Sequence, residues 1–312
     1  MSAVLAPGKA ILCGEYAVLH GAPAIAVAVD RSVRAQAGVR GERTAFVDAA
    51  IRRTAEMLQR EKMGAAPADV AVDSAALYDG GRKLGLGSSA AVTVATVGAA
   101  WHAGGGSLDD RRRLFEIADE AHAEAQGTRG SGVDVATSVY GGAIRFQRKN
   151  GAAEIASVDL PDGVELTFIF AGKSASTPAL IGRVKALAET APQQHESAIS
   201  RLVSLAHAFA AALDDADGAE LVQAAAAYGE AMRALGDAAG VEIVTREVAQ
   251  LDAYARRHGG AAKPSGAGGG DLGVAFTVSP DATRALRADL ARAGLAPLSL
   301  RAPAPGLRLE MP

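Results

Sequence analysis

Lys83-Leu84-Gly85-Leu86-Gly87-Ser88-Ser89-Ala90-Ala91 is the stretch on which the reading of this chain turns. Two glycines one residue apart allow a tight turn and a close backbone approach. Two serines follow where a helix N-cap is favoured. The run Ala90-Ala91-Val92-Thr93-Val94-Ala95-Thr96-Val97 then opens an apolar helix that closes at Gly104-Gly105-Gly106. Unpaired amides at a helix start, at the positive end of the helix dipole, suit an anion. The expectation is a loop that holds a polyphosphate.

Other readings of the loop compete. Gly85-x-Gly87-x-x-Ala90 fits the loose dinucleotide fingerprint, which needs an apolar strand before it and an acid at a second strand end about 20 residues on. Here Tyr78-Asp79-Gly80-Gly81-Arg82-Lys83 is a turn, and Asp109 and Asp110 stand at a helix start. A second loop, Gly172-Lys173-Ser174, ends like a Walker A sequence but has Thr167 where the first glycine belongs. A glycine turn with an ordinary serine cap remains the plain alternative.

The chain around the loop is ordinary in bulk. Its 312 residues suffice for one large or two medium domains. A hydrophobic fraction of 49% and a charged fraction of 21% match a globular protein. The net charge of −3 gives no electrostatic case for nucleic acid. Cys13 is the sole cysteine, so no internal disulfide can form, and its apolar setting reads as a buried, inert thiol. No basic, apolar leader opens the sequence and no run approaches the length of a membrane span, so a cytoplasmic location with no membrane partner is expected.

In chain order, Val4-Leu5-Ala6 reads as a strand running into a turn at Pro7-Gly8-Lys9, with a second strand at residues 10–15 and a third at residues 24–30. Residues 46–63 carry a helical pattern and residues 70–73 a short strand. Ser107-Leu108-Asp109-Asp110 reads as a capping box for the next helix. That helix ends in a second glycine turn, Gly130-Ser131-Gly132-Val133-Asp134, in which Asp134 is either a helix-start acid or an acid placed beside the phosphate loop. Asn150-Gly151 is a hairpin signal. Lys173, Ser174, Ser176 and Thr177 form a second candidate anion site. Residues 179–258 read as helices broken near Pro192, Asp217-Gly218 and residues 236–240, with no metal-ligand spacing and with His195, His207 and His258 isolated. A third glycine loop, Lys263-Pro264-Ser265-Gly266-Ala267-Gly268-Gly269-Gly270-Asp271, precedes a strand, a helix at residues 282–293 and a closing strand at residues 298–309. So many glycines carry an entropic cost that a close approach to ligand explains.

Three glycine loops, an early lysine and an aspartate after the second loop together resemble the GHMP kinase superfamily, which phosphorylates small molecules with ATP. Residues 7–30 look like its first motif, residues 85–91 its phosphate loop and residues 263–271 its third motif. The resemblance implies an α+β, two-domain GHMP kinase fold. A ribosomal-protein-S5-like α/β domain would span residues 1–160, a ferredoxin-like α+β domain residues 161–312, and the active site the cleft between them. Within the superfamily, Tyr16, Lys83, Val135 and the Gly172-Lys173-Ser174-Ala175-Ser176-Thr177 run are more similar to phosphomevalonate kinases. Mevalonate kinases carry His and Asn at the first and third of these places, yet their pattern is closer at His20-Gly21-Ala22-Pro23.

Several roles are implied by that resemblance. Lys9 and Asp134 would be catalytic. Lys83, Gly85, Leu86, Gly87, Ser88, Ser89 and Ala90 would hold ATP, with Ser88, Ser89 and Glu124 toward Mg²⁺. Tyr16, His20, Ser131, Gly132, Lys173, Ser174, Ser176, Thr177, Ser265, Gly266, Ala267, Gly268 and Gly269 would meet the acceptor, phosphomevalonate or mevalonate. A monomer or homodimer is expected. A GHMP-like protein that binds a metabolite without turnover is the reading of a different class.

Overall fold

The computed structural model describes residues 3–172 and 177–311. The first half is built on an antiparallel sheet. Strands β1 (Val4–Cys13) and β2 (Ala24–Ala37) pair over most of their length, followed by helix α1 (Ala45–Arg60) and strand β3 (Val70–Asp73), which pairs with the far end of β2. A two-stranded hairpin, β4 (Tyr78–Asp79) and β5 (Arg82–Lys83), leads into the phosphate loop. Helices α2 (Ser88–Ala103), α3 (Arg111–Gln126) and α4 (Val133–Tyr140) follow, then strands β6 (Ala143–Lys149) and β7 (Ala152–Val158). Asn150 at φ 51° and Gly151 at φ 81° close the β6–β7 hairpin, as their left-handed preference requires.

The second half begins with β8 (Glu165–Phe170). Four helices follow: α5 (Thr177–Thr190), α6 (Pro192–Asp214), α7 (Gly218–Ala239) and α8 (Arg246–Arg257). Strands β9 (Ala261–Ser265) and β10 (Leu272–Thr277) complete a three-stranded antiparallel sheet in the order β8-β10-β9. Helix α9 (Pro280–Arg292) follows, and the two-residue strand β11 (Arg308–Leu309) returns to pair with Val4 and Leu5 of β1.

Helix α2 is the centre of the first half. Its sequence is apolar all round, so it is buried nearly all round, packed among α1, α3, α4 and the β1–β2 face. Thr93 and Thr96 are tolerated there because their hydroxyls donate to the Ser89 and Val92 carbonyls one turn back, at 2.9 and 2.8 Å.

Four local expectations are corrected. The turn expected at Pro7-Gly8-Lys9 is a register shift within one continuous strand, because Pro7 lacks an N–H yet does not stop the ladder. The helix after the phosphate loop starts at Ser88, with Gly87 at φ 73° as its N-cap; only glycine takes that conformation cheaply, and no serine caps the helix. Asp110, not Ser107, caps α3 by accepting from the Arg113 amide at 3.1 Å, while Ser107 Oγ accepts from the Asp109 amide. Residues 298–309 form a strand only at β11. Elsewhere they run as loop, tied down by single bridges such as Gly141 to Pro305.

Candidate active site

The candidate cleft is assembled where β1 passes under the glycine loop at residues 85–89. Strand β11 covers only Val4 and Leu5, so the outer edge of β1 beyond them is open to the loop, and the Lys9 amide donates to the Leu86 carbonyl at 2.9 Å. The contact is close on both sides. A Cβ added to Gly87 would stand 2.9 Å from Lys9 Cε, and one added to Gly85 would stand 2.4 Å from Asp271 Cβ in the third glycine loop. Glycine is needed at both places for its backbone and for space. Leu86 and Ala90 turn their side chains into the core and offer only backbone.

Lys9 is buried, and its Nζ lies 3.4 Å from Asp134 Oδ2. Asp134 stands in the first turn of α4, whose N-cap Gly132 has φ 90°. The turn before α4 is fixed from behind. Asp119 is buried and accepts from Arg129 at 2.5 Å and from Arg148 at 3.0 Å, and Arg148 also donates to the Ser131 carbonyl. A side chain at Gly132 would meet both Arg148 and Asp119 at 2.7 Å. Ser131 Oγ accepts from the Val133 amide at 3.3 Å, so its hydroxyl shapes the turn while the residue lines the cleft.

The third loop is docked onto the end of β1 by three side chains. Ser265 Oγ accepts from the Ile11 amide at 2.8 Å, Glu15 Oε1 accepts from the Gly266 amide at 3.2 Å, and Tyr16 Oη donates to the Ala267 carbonyl at 2.6 Å. Glu15 also takes the Lys263 ammonium at 2.5 Å, a pair with side chains 3% and 0% exposed. Burial, helped by the Glu15 charge, pushes the Tyr16 phenol well above its ordinary range, so it remains a donor. Gly266 and Ala267 line the cleft. Gly268 and Gly269 pack on Ile243 and Leu180 instead, and a Cβ at Gly268 would fall 2.3 Å from the Ile243 carbonyl.

Several expected site residues stand elsewhere. Glu124, expected toward Mg²⁺, instead faces α1, paired with Arg52 and with Arg53 at 2.8 Å, because the α3 face toward the cleft carries Asp119, His122, Ala123 and Gln126. His20 is exposed at the end of a short 3₁₀ turn, its ring 6.2 Å from that of His195, outside the cleft. Ser265 is buried, and its Oγ accepts from the β1 backbone. Lys83 is exposed on the hairpin before the loop. Lys173, Ser174 and Ser176 lie outside the described residues, as does the side chain of Thr177. Cys13 is fully buried and its thiol pushed far up by that burial, as an inert core cysteine should be.

Asp119 and His122 are cleft residues that motif reading misses. Their spacing with Ala123 and Gln126, three or four residues apart on one helix face, is the signal that finds them. Burial lowers the His122 pKa, while the charges of Asp134 and Asp119 pull it the other way.

The residues fit a nucleotide triphosphate. The α2 N-terminus supplies unpaired amides, Lys9 supplies a buried cation, and Ser88 Oγ is buried with no hydrogen-bond partner among the described residues. For Mg²⁺ the fit is narrower. No group of three His, Cys, Asp or Glu side chains able to hold a metal occurs among the described residues. An ion there depends on the nucleotide phosphates for most of its ligands, as Mg²⁺ commonly does. Glu124→Gln is therefore expected to leave kcat and its magnesium dependence within about twofold of the parent, the scale of an exposed ion pair. Magnesium titrations of both proteins check this, and a right-shifted titration for the variant would return Glu124 to the site.

A lysine–aspartate pair beneath a glycine loop and helix start is an arrangement suited to phosphoryl transfer. Residues 49–142 match the GHMP kinases N terminal domain. The chain is 31% identical to a phosphomevalonate kinase of Streptomyces sp. (strain CL190), covering 95% of each, and 30% identical to a mevalonate kinase of Archaeoglobus fulgidus, covering 85% of this chain and 88% of that one. Its fold superimposes on Streptococcus pneumoniae phosphomevalonate kinase in complex with phosphomevalonate and AMPPNP at a TM-score of 0.84, with 20% identity over 96% of this chain and 99% of the other. The chain belongs to the GHMP kinase family. Within that family it is a kinase of the mevalonate-pathway group. No helix of the described residues is long and apolar enough to cross a membrane.

Proposed function

We propose that this chain transfers the γ-phosphoryl group of ATP to the phosphate of 5-phosphomevalonate, giving 5-diphosphomevalonate. The observation that carries this reading is the Lys9–Asp134 pair. The Asp134 carboxylate is engaged by a buried ammonium, an arrangement suited to neutralising and aligning charge more than to removing a proton. A phosphate monoester has its second pKa at about 6 and arrives ionised near neutral pH. One of its oxygens attacks the γ-phosphorus, the bond to the β–γ bridging oxygen breaks, and ADP leaves; no proton has to be removed. Lys9 neutralises charge on the transferred group and the acceptor, and Asp134 orients Lys9. The amides of residues 85–89 hold the β- and γ-phosphates, with the Ser88 hydroxyl toward the phosphates or the Mg²⁺ that accompanies ATP.

The Streptomyces relative supports this acceptor, as do Tyr16 and Val135, which stand where mevalonate kinases carry His and Asn. A second reading, transfer to the 5-hydroxyl of mevalonate, is favoured by the Archaeoglobus relative and by His20-Gly21-Ala22-Pro23. In that case Asp134 takes the hydroxyl proton. ADP release measured with each acceptor separates the two. Turnover with phosphomevalonate and background with mevalonate is expected. The reverse pattern assigns the earlier step, and ATP binding without ADP release on either points to a non-catalytic binder.

A further inference from the structure

His122 has no part in the transfer just described, yet it lines the same cleft as Lys9 and Asp134. Its Nε2 lies 3.2 Å from Ser89 Oγ, and its ring is tilted against Phe46 with centroids 5.3 Å apart. A hydroxyl can donate to a ring nitrogen or accept from it, so the contact survives either tautomer. Ser89 is the second residue of α2, and its amide is one of those left unpaired at a helix start. The bond from α3 therefore fixes the rotamer of a side chain at the point where the phosphate loop becomes helix. Ser88 differs: its hydroxyl is buried with no partner among the described residues. The two serines are not equivalent. One is held by a side chain of α3 and the other has no partner among the described residues.

We propose that His122 is a positioning residue of the phosphoryl-transfer site, clamping the Ser89 hydroxyl across the α2–α3 boundary so that the loop amides keep their aim at the nucleotide. The inference rests on the kinase reading of the cleft but not on which acceptor is used. A helix start displaced by a fraction of an ångström misaligns every phosphate contact at once, which affects turnover more than acceptor binding.

A double-mutant cycle of His122→Ala and Ser89→Ala tests it, run on transfer to whichever acceptor the wild-type chain phosphorylates. Each single change is expected to lower kcat about tenfold with the acceptor KM little changed. The double variant should also fall about tenfold, not about a hundredfold, because both changes remove one interaction. His122→Gln, whose amide reaches about as far as Nε2, should restore most of the rate. Additive losses, a normal rate in His122→Ala, or a glutamine variant as poor as alanine would each overturn the proposal, with thermal unfolding measured on every variant to set aside any that fail to fold. The same cycle on affinity for a non-hydrolysable ATP analogue needs no acceptor. Should the wild-type chain phosphorylate neither acceptor, the functional reading fails while this second cycle still decides for His122: non-additive weakening supports the clamp and additive weakening overturns it.

Discussion

Lys9→Met is expected to lower kcat by about 10²–10³-fold, the scale of removing one preorganised charge from a transition state, while leaving the fold intact. The methionine keeps an unbranched apolar stem, which fills the narrow space under Gly87 where the lysine Cε and Cγ now run. The partner carboxylate is not stranded by the change, because the Asp134 side chain remains 37% exposed and water can take over. The loss should therefore appear in turnover and not in thermal stability. Asp134→Asn should cost a comparable factor by releasing the ammonium from its alignment. Steady-state rates beside unfolding curves for the two variants check the pair. A rate within about threefold of wild type for Lys9→Met would remove Lys9 from the transfer, since a charge that acts on the γ-phosphoryl cannot be that dispensable.

The largest stability effect is expected at the opposite wall. Lys263→Met should destabilise the chain by about 3–5 kcal/mol, because it leaves the Glu15 carboxylate charged and buried without its counter-ion. That is a large fraction of the roughly 5–15 kcal/mol by which a domain is stable. Glu15 has little to fall back on. Among the described residues, Oε1 would retain only the Gly266 amide at 3.2 Å, and Oε2 is already buried without a hydrogen-bond partner. The Tyr228 hydroxyl bonds the Glu15 backbone carbonyl, not the carboxylate. The double variant Glu15→Gln, Lys263→Met should recover much of the loss by removing the stranded charge. Urea unfolding midpoints at neutral pH measure both. A loss below about 1 kcal/mol for Lys263→Met would show that this pair behaves like a surface ion pair despite its burial.

The phosphate loop is legible in the sequence because its glycines are required twice over, once for positive φ at Gly85 and Gly87 and once for the approach of Asp271 and Lys9. Lys9 and Asp134 are legible only as charges in apolar surroundings; that they meet depends on a strand and a helix 125 positions apart, a relation no local pattern carries. The hairpin at Asn150-Gly151 and the helix breaks near Pro192 and Asp217 are local chemistry, and they fall where the residues say. What escapes is tertiary. Pro7 looks like a strand end but is accommodated by a register shift, since the Lys9 amide has another acceptor in the Leu86 carbonyl. Glu124 looks well spaced for a metal, yet one step of a helix turns it onto two arginines of α1, while Asp119 and His122 take the inner face. Ser265 looks like a substrate hydroxyl in a glycine loop, and only the folded chain shows that its Oγ also fastens the third loop to β1.

The phosphorus NMR spectrum of the product formed from ATP and phosphomevalonate is the most direct measurement of what this cleft does. Two mutually coupled diphosphate resonances beyond those of ADP are predicted, with the acceptor's monoester signal disappearing in step. An unchanged monoester signal, together with a new one when mevalonate is supplied instead, would contradict the assignment and place the chain at the hydroxyl-phosphorylating step.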